Sequence, residues 1–102
     1  MVSKIHGLLG LSAKAGKIMS GTDMVLEGIV KKKVKLLVIA SDASAKTIKN
    51  MEFTCEKYNI ELIVFGTIDE NSRAIGKENR AVIGVTDDNL AQAILKQFHG
   101  GV

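Results

Sequence analysis

The sequence contains few of the residues on which catalysis and metal binding usually depend. It has one cysteine, two histidines, and neither proline nor tryptophan among its 102 residues. A single cysteine excludes an internal disulfide bond and favours the reducing cytoplasm as the cellular location. His6 and His99 lie at opposite ends of the chain, without neighbours that could complete a zinc site or a Ser-His-acid set. We therefore expect no enzymatic activity, no metal and no other cofactor.

Long hydrophobic runs and abundant aromatic side chains are also missing. The apolar runs are far shorter than the roughly 20 residues that a membrane helix needs, so we expect neither a membrane span nor a signal peptide. One tyrosine and three phenylalanines are too few for a platform on which bases stack, as in single-strand binders. Because no acid, base and nucleophile can be assembled, a small-molecule substrate is not expected either.

Positive charge is concentrated in the first half of the chain. Residues 1–51 contain nine lysines against three acidic residues, whereas residues 52–102 contain five basic and eight acidic residues. This asymmetry indicates a polyanionic partner for the first half of the chain. Chance clustering on a solvated surface explains the charge alone equally well.

Helical and extended patterns alternate along the chain. A nearly continuous β-branched and apolar run over residues 34–40 predicts a central strand that is covered on both faces. Cys55 shares helical spacing with Ile48 and Met51, which predicts a buried core cysteine. The pattern predicts one α/β domain over residues 4–98, a three-layer α/β/α sandwich with a mixed sheet of about four strands. The predicted helices cover residues 4–14, 20–33, 44–58, 69–76 and 87–98, and the predicted strands cover residues 17–20, 34–40, 60–65 and 80–86. Residues 87–89, beginning with Asp87, are expected to cap the last helix, and residues 99–102 are expected to form a frayed tail.

Residues 20–33 form the stretch that most directly suggests a function. Ser20 is expected to cap a helix, with Asp23 three residues later in the capping-box position. The lysine run at residues 31–33 then falls in the last helical turn, where it complements the helix dipole or meets a polyanion. The residues expected to face the core are Val25, Leu26, Ile29 and Val30.

The order of several short motifs resembles that of a known family. Gly21-Thr22 opens a helix, Ala40-Ser41-Asp42 follows the central strand, and Ala74-Ile75-Gly76 precedes the last strand. Over roughly residues 4–98 these features resemble the kink-turn-binding large-subunit ribosomal proteins, the L-seven-Ae / L-thirty-e family. The bacterial YlxQ-type branch is the most similar, through the motifs Ser41-Asp42-Ala43-Ser44, Ala74-Ile75-Gly76-Lys77 and Val85-Thr86-Asp87.

The resemblance implies an RNA-binding α/β/α sandwich without enzymatic activity. Members of the family bind kink-turns, which are sharply bent duplexes with tandem sheared G·A pairs. The family's Gly-Thr-Asn-Glu motif falls on Gly21, Thr22, Asp23 and Met24, so only its first two residues match.

Further departures from the family pattern are expected to weaken base recognition. A family lysine one turn on falls on Glu27, and the apolar wedge loop falls on the polar residues 77–79, although the next basic position is matched by Lys31. Because each good base-edge contact carries about 1–3 kcal/mol of discrimination, these changes reduce selectivity. Contacts to phosphates are expected to remain, from Lys31, Lys32, Lys33, Lys35, Lys77 and Arg80.

Two functions are consistent with these observations. The first is a ribosome-associated or translation-linked protein that binds structured, kink-turn-like RNA mainly through phosphates, with Gly21, Thr22 and Asp23 in the site. Ribosomal or other proteins are further candidate partners. The alternative is a protein–protein adaptor on the same fold that binds no RNA, in which Met24 is the interface anchor.

Overall fold

The computed structural model describes residues 3–100 and contains five helices and four strands in that range. Within these residues, no helix combines the length and the hydrophobicity needed to cross a membrane. The elements are α1 (Lys4–Lys14), β1 (Ile18–Ser20), α2 (Thr22–Val30), β2 (Leu36–Ile39), α3 (Ala45–Tyr58), β3 (Glu61–Val64), α4 (Ile68–Ala74), β4 (Val82–Val85) and α5 (Asp88–His99).

The four strands form one mixed sheet in the order β1-β4-β2-β3. Strand β2 pairs with β3 in parallel, and β4 pairs with both β1 and β2 in antiparallel orientation. Strands β1, β2 and β3 therefore end where β4 begins, and we call this the upper end of the sheet. The opposite end, where β1, β2 and β3 begin, is the lower end.

Helices cover both faces of the sheet, which confirms the predicted three-layer sandwich. Alternate side chains of β2 enter two separate cores: Leu36 and Val38 pack with α1 and α5, whereas Leu37 and Ile39 pack with α2 and α3. All four residues of β2 are buried, as are all four of β4, because each central strand has helices on both sides. Cys55 lies in the second core, as predicted.

Polar side chains fix the ends of the helices by accepting hydrogen bonds from backbone N–H groups in the first turn. Asp87 caps α5 in this way, as predicted, with 2.9 Å between its Oδ2 and Leu90 N. Asp42 Oδ1 accepts from Ile68 N at 2.8 Å, so the loop after β2 is fastened to the start of α4. The other side chains that cap helices are Ser3, Ser44 and Thr67.

The predicted N-cap of α2 was wrong by one residue. Ser20 is the last residue of β1 and pairs with Ile83, so it does not cap the helix. The N-cap is Gly21, and no side chain among the described residues caps this end. Sheet pairing by Ser20 takes precedence over its local capping preference.

The predicted buried face of α2 and the predicted C-terminus of the chain also need correction. Val30 is 57% exposed, and Gly28 takes its place on the buried side, where it packs beneath Met19 and Val34. Residues 31–33 lie beyond the helix instead of in its last turn. At the other end, His99 is the last residue of α5 and not part of a frayed tail, while residues 101–102 of that predicted tail lie outside the described range.

Candidate nucleic-acid interface

The start of α2 lies at the upper end of the sheet and presents free backbone donors. Gly21 has φ 92°, a conformation that favours glycine, and its N–H donates to the Val82 carbonyl at 3.0 Å. Thr22 and Asp23 follow in the first helical turn with exposed side chains. Because no described side chain caps this helix, the first-turn N–H groups are available to an anion.

The loop between α4 and β4 lies beside this helix start. Ser72 is buried and anchors the loop, since its Oγ accepts from Arg80 N at 2.7 Å and its carbonyl accepts from Lys77 N at 2.9 Å. Asn79 has φ 54°, which turns the chain sharply between these two anchored positions. The fold thus brings Lys77 and Arg80, from the second half of the sequence, next to α2 from the first half.

A groove opens between the helix start and the anchored loop. Met24 is 56% exposed and forms part of one wall of this groove, whereas Lys77 and Arg80 contribute cationic side chains. Arg80 Nε is buried and has no hydrogen-bond partner among the described residues. The groove therefore combines an apolar surface with two positive charges. Its lining residues are Ala13, Ile18, Ser20, Met24, Ile75, Lys77 and Arg80.

Lys31 differs from the neighbouring lysines because it is paired. It is the C-cap of α2, and its Nζ lies 2.7 Å from Glu27 Oε1, one turn back along the helix. The hydrogen bond and positive charge of Lys31 lower the pKa of the Glu27 carboxyl below its ordinary value. The helix face that carries Met24 also carries Glu27 and Lys31, so the positive charge of Lys31 is partly neutralised there.

The other three lysines of this region lie at the lower end of the sheet. Lys32, Lys33 and Lys35 line one shallow depression together with Gly16 and Thr86, and we call these three residues the lysine cluster. None of them forms a salt bridge with any residue in the range 3–100. The nine residues of α2 place its two ends about 13 Å apart, at a rise of 1.5 Å per residue.

The predicted site residues therefore do not form one surface. Gly21, Thr22, Asp23, Lys77 and Arg80 come together at the upper end. The lysine cluster gathers at the lower end, and Lys31, the C-cap of α2, is held in an ion pair with Glu27. The sequence analysis missed the anchoring role of Ser72. The available signal was a polar residue that faces the core from a short helix.

The remaining reactive side chains have structural surroundings. Burial raises the pKa of the Cys55 thiol to about 11, which keeps it protonated and unreactive at neutral pH. His6 donates from Nε2 to Asn71 Oδ1 at 2.8 Å and accepts from Ser3 Oγ at Nδ1, so both ring nitrogens are occupied. Across residues 3–100, no group of three or more His, Cys, Asp or Glu side chains is placed to hold a metal ion.

The chain is similar to proteins of one family over nearly its whole length. The sequence model of the ribosomal protein L7Ae/L30e/S12e/Gadd45 family matches residues 3–95. RNA-binding protein YlxQ of Bacillus subtilis (strain 168) is 35% identical over 88 residues, which are 86% of this chain and 88% of that protein. RNA-binding protein YlxQ of Enterococcus faecium is 29% identical over 97 residues, which are 95% of this chain and 93% of that protein.

Solved structures share the fold. A protein of unknown function from Bacillus halodurans superposes with a TM-score of 0.88 and 34% identity, covering 91% of this chain and 94% of that chain. The Giardia lamblia 15.5kD RNA binding protein has a TM-score of 0.81 and covers 95% of this chain and 86% of its own. At 19% identity, the second likeness concerns the fold alone.

Proposed function

Because the chain belongs to the ribosomal protein L7Ae/L30e/S12e/Gadd45 family, we propose that it is a non-enzymatic protein that binds structured RNA. The domain over residues 4–98 holds a kink-turn or a similarly bent duplex at the upper end of the sheet. The observation that carries this proposal is the uncapped start of α2 beside a groove with two cations, Lys77 and Arg80, that form no salt bridge within residues 3–100. Relatives that cover most of the chain carry the name RNA-binding protein.

Phosphates supply most of the binding in this proposal. One phosphate approaches the N–H groups at the start of α2, where Gly21 lacks a side chain that would obstruct it. Lys77 and Arg80 reach neighbouring phosphates from the opposite wall of the groove. Asp23 opposes these contacts, because its exposed carboxylate adds negative charge to the same turn.

Base recognition is proposed to be weaker than phosphate binding. Met24 offers an apolar surface on which an unstacked base can rest, and this contact hardly distinguishes one base from another. Asp23 can accept hydrogen bonds but cannot donate one. We therefore expect the protein to prefer bent RNA by its shape and backbone, with a ribosomal or translation-linked RNA as the natural target and the cytoplasm as the location.

A binding comparison tests the proposal. Fluorescence anisotropy with a kink-turn RNA and a straight duplex of equal length is expected to give at least tenfold tighter binding to the bent RNA. The double variant Lys77→Gln/Arg80→Gln removes two phosphate contacts, so its affinity for the kink-turn is expected to fall about tenfold and its salt slope by about two.

The matched control is Lys49→Gln/Lys96→Gln, which removes the same charge from exposed positions on α3 and α5. It is expected to change the affinity less than twofold. Equal weakening by both double variants, or equal affinity for bent and straight RNA, would contradict the proposal. If no RNA binds at low salt, the exposed Met24 favours the alternative protein–protein adaptor, and pull-down with Met24→Ala tests it.

A further inference from the structure

We propose that the lysine cluster is a second phosphate-binding surface, which contacts an arm of the RNA as it runs from the groove along β1. The inference rests on the proposed RNA binding at the upper end. It assigns to Lys32, Lys33 and Lys35 a segment of RNA different from the one that the groove holds. The fold supports it by continuity, because the groove and the depression of the lysine cluster both border Ile18 on the edge strand β1.

The backbone at Lys32 provides an independent observation. Lys33 N donates to the Gly28 carbonyl at 2.8 Å and Lys32 N donates to the Ile29 carbonyl at 3.0 Å, which is the hydrogen-bond pattern of a Schellman motif. Lys32 occupies its left-handed position with φ 61°, where glycine or asparagine is normally found. The backbone therefore does not require a lysine here, because glycine would fit this position with less strain.

The charges of the cluster are free to bind an external anion. The two salt bridges within the described range involve other residues, and Lys35 Nζ makes only a long 3.4 Å contact to the Lys32 carbonyl. Asp88 is the one acidic residue that lines the neighbouring depression with Lys32 and Lys35, so positive charge predominates. Lysine is depleted in protein–protein interfaces and common in phosphate contacts, which favours a nucleic-acid backbone as the partner.

The distance between the two surfaces sets the length of RNA involved. About 13 Å along α2 corresponds to about four to five base pairs of an A-form RNA duplex, whose rise per pair is smaller than the roughly 3.4 Å of B-form DNA. It also exceeds the Debye length of about 10 Å at 0.1 M salt. The cluster therefore adds little to the binding of an RNA that ends at the groove, and contributes only when an arm reaches it.

An arm-length series tests this inference. The probes are kink-turn RNAs with one hairpin-closed arm of two or of eight base pairs beyond the kink, made for each of the two arms. The triple variant Lys32→Asn/Lys33→Gln/Lys35→Gln is expected to bind one long-arm RNA at least about tenfold more weakly than the wild type, with a salt slope lower by about three. It is expected to bind the short-arm RNAs within twofold of the wild type.

The control triple variant Lys46→Gln/Lys49→Gln/Lys96→Gln is expected to bind all RNAs like the wild type. Equal weakening on short and long arms, or no weakening on any long arm, overturns the inference. Neither result affects the proposed function, which fails separately if the wild type does not distinguish bent from straight RNA.

The variant Lys32→Gly separates the charge from folding. Glycine relieves the left-handed strain, so the melting temperature is expected to be unchanged or up to about 5 °C higher, whereas long-arm binding weakens about threefold. Wild-type affinity in this variant would overturn the inference.

Tethered cleavage locates the arm directly. A hydroxyl-radical probe on Val30→Cys, near the cluster, is expected to cut about four to five base pairs away from the cuts made by a probe on Glu78→Cys, near the groove. Buried Cys55 does not compete for the label. Absence of cuts from Val30, or cuts at the same nucleotides from both probes, would overturn the inference.

Discussion

Gly66 combines a left-handed backbone with a crowded surrounding, and among the glycines of residues 3–100 a Cβ added there would come closest to another atom. It has φ 67°, and its carbonyl accepts hydrogen bonds from both the N–H and the hydroxyl of Ser41. A Cβ at this position would overlap Asn71 Oδ1, which accepts from His6. Gly66→Ala would combine backbone strain with loss of a buried hydrogen-bond network, so we expect a loss of about 3 kcal/mol in the free energy of unfolding.

Gly76 provides the matched control for this prediction. It has φ 72°, but a Cβ there would meet nothing within 4 Å. Gly76→Ala therefore carries only the backbone strain and should cost about 1 kcal/mol in urea unfolding. If both variants lose the same stability, the overlap with Asn71 does not contribute.

Helix α2 shows which properties of an element follow from its sequence and which depend on the rest of the fold. Apolar spacing correctly predicted that Val25 and Ile29 are buried, because helical period is a local property. It failed at Val30, which is exposed, because Gly28 occupies the buried side of the helix against Met19. The predicted strand over residues 17–20 correctly included Ser20, but the predicted cap was wrong, because the pairing of Ser20 with Ile83 keeps this residue in the sheet.

The residues of the candidate site can be named from the sequence, whereas their arrangement cannot. The charge asymmetry drew attention to the lysines of residues 31–35, and the family resemblance added Lys77 and Arg80; that these residues bind RNA stays a prediction. These basic residues lie at two ends of the sheet because of the length and direction of α2. The sequence does not show where α2 lies relative to the loop between α4 and β4. The hydrogen bond from Arg80 to Ser72, which positions the loop, is likewise a tertiary contact.

The ion pair between Glu27 and Lys31 on α2 is expected to limit the affinity for RNA. Glu27 neutralises Lys31 and places negative charge on the face that continues from Met24. Glu27→Gln removes that charge and releases Lys31, so we expect affinity for kink-turn RNA to rise about three- to tenfold. The gain should disappear in Glu27→Gln/Lys31→Gln, as measured by anisotropy at low salt.

The α4 pair Asp69–Arg73 provides the control, because it is also exposed and also has i, i+4 spacing. Asp69→Asn changes the net charge by the same amount away from the groove. Its effect on RNA affinity should stay below twofold. A similar gain from both variants would show that net charge, and not the release of Lys31, determines the affinity.

At the scale of the whole molecule, the proposed site depends on the complete fold. The start of α2 and the anchored loop come from different halves of the chain and meet only when β1 pairs with β4. An unfolded chain therefore retains lysines but not the groove. A ligand that recognises only the folded protein stabilises it by RT ln(1 + [L]/Kd), about 2.7 kcal/mol at a concentration of 100 Kd.

This linkage predicts the thermal behaviour of the complex. For a domain of 102 residues, about 2.7 kcal/mol corresponds to a rise of about 13 °C in melting temperature. Kink-turn RNA at 100 Kd should produce this rise in a thermal scan at low salt, whereas a straight duplex at the same concentration should produce less than half of it. Lys77→Gln/Arg80→Gln at that RNA concentration should lose about half of the rise, because tenfold weaker binding removes about 1.4 kcal/mol of the stabilisation. An equal rise with bent and straight RNA would mean that the folded protein attracts RNA through its net charge, without using the arrangement of α2 and the loop.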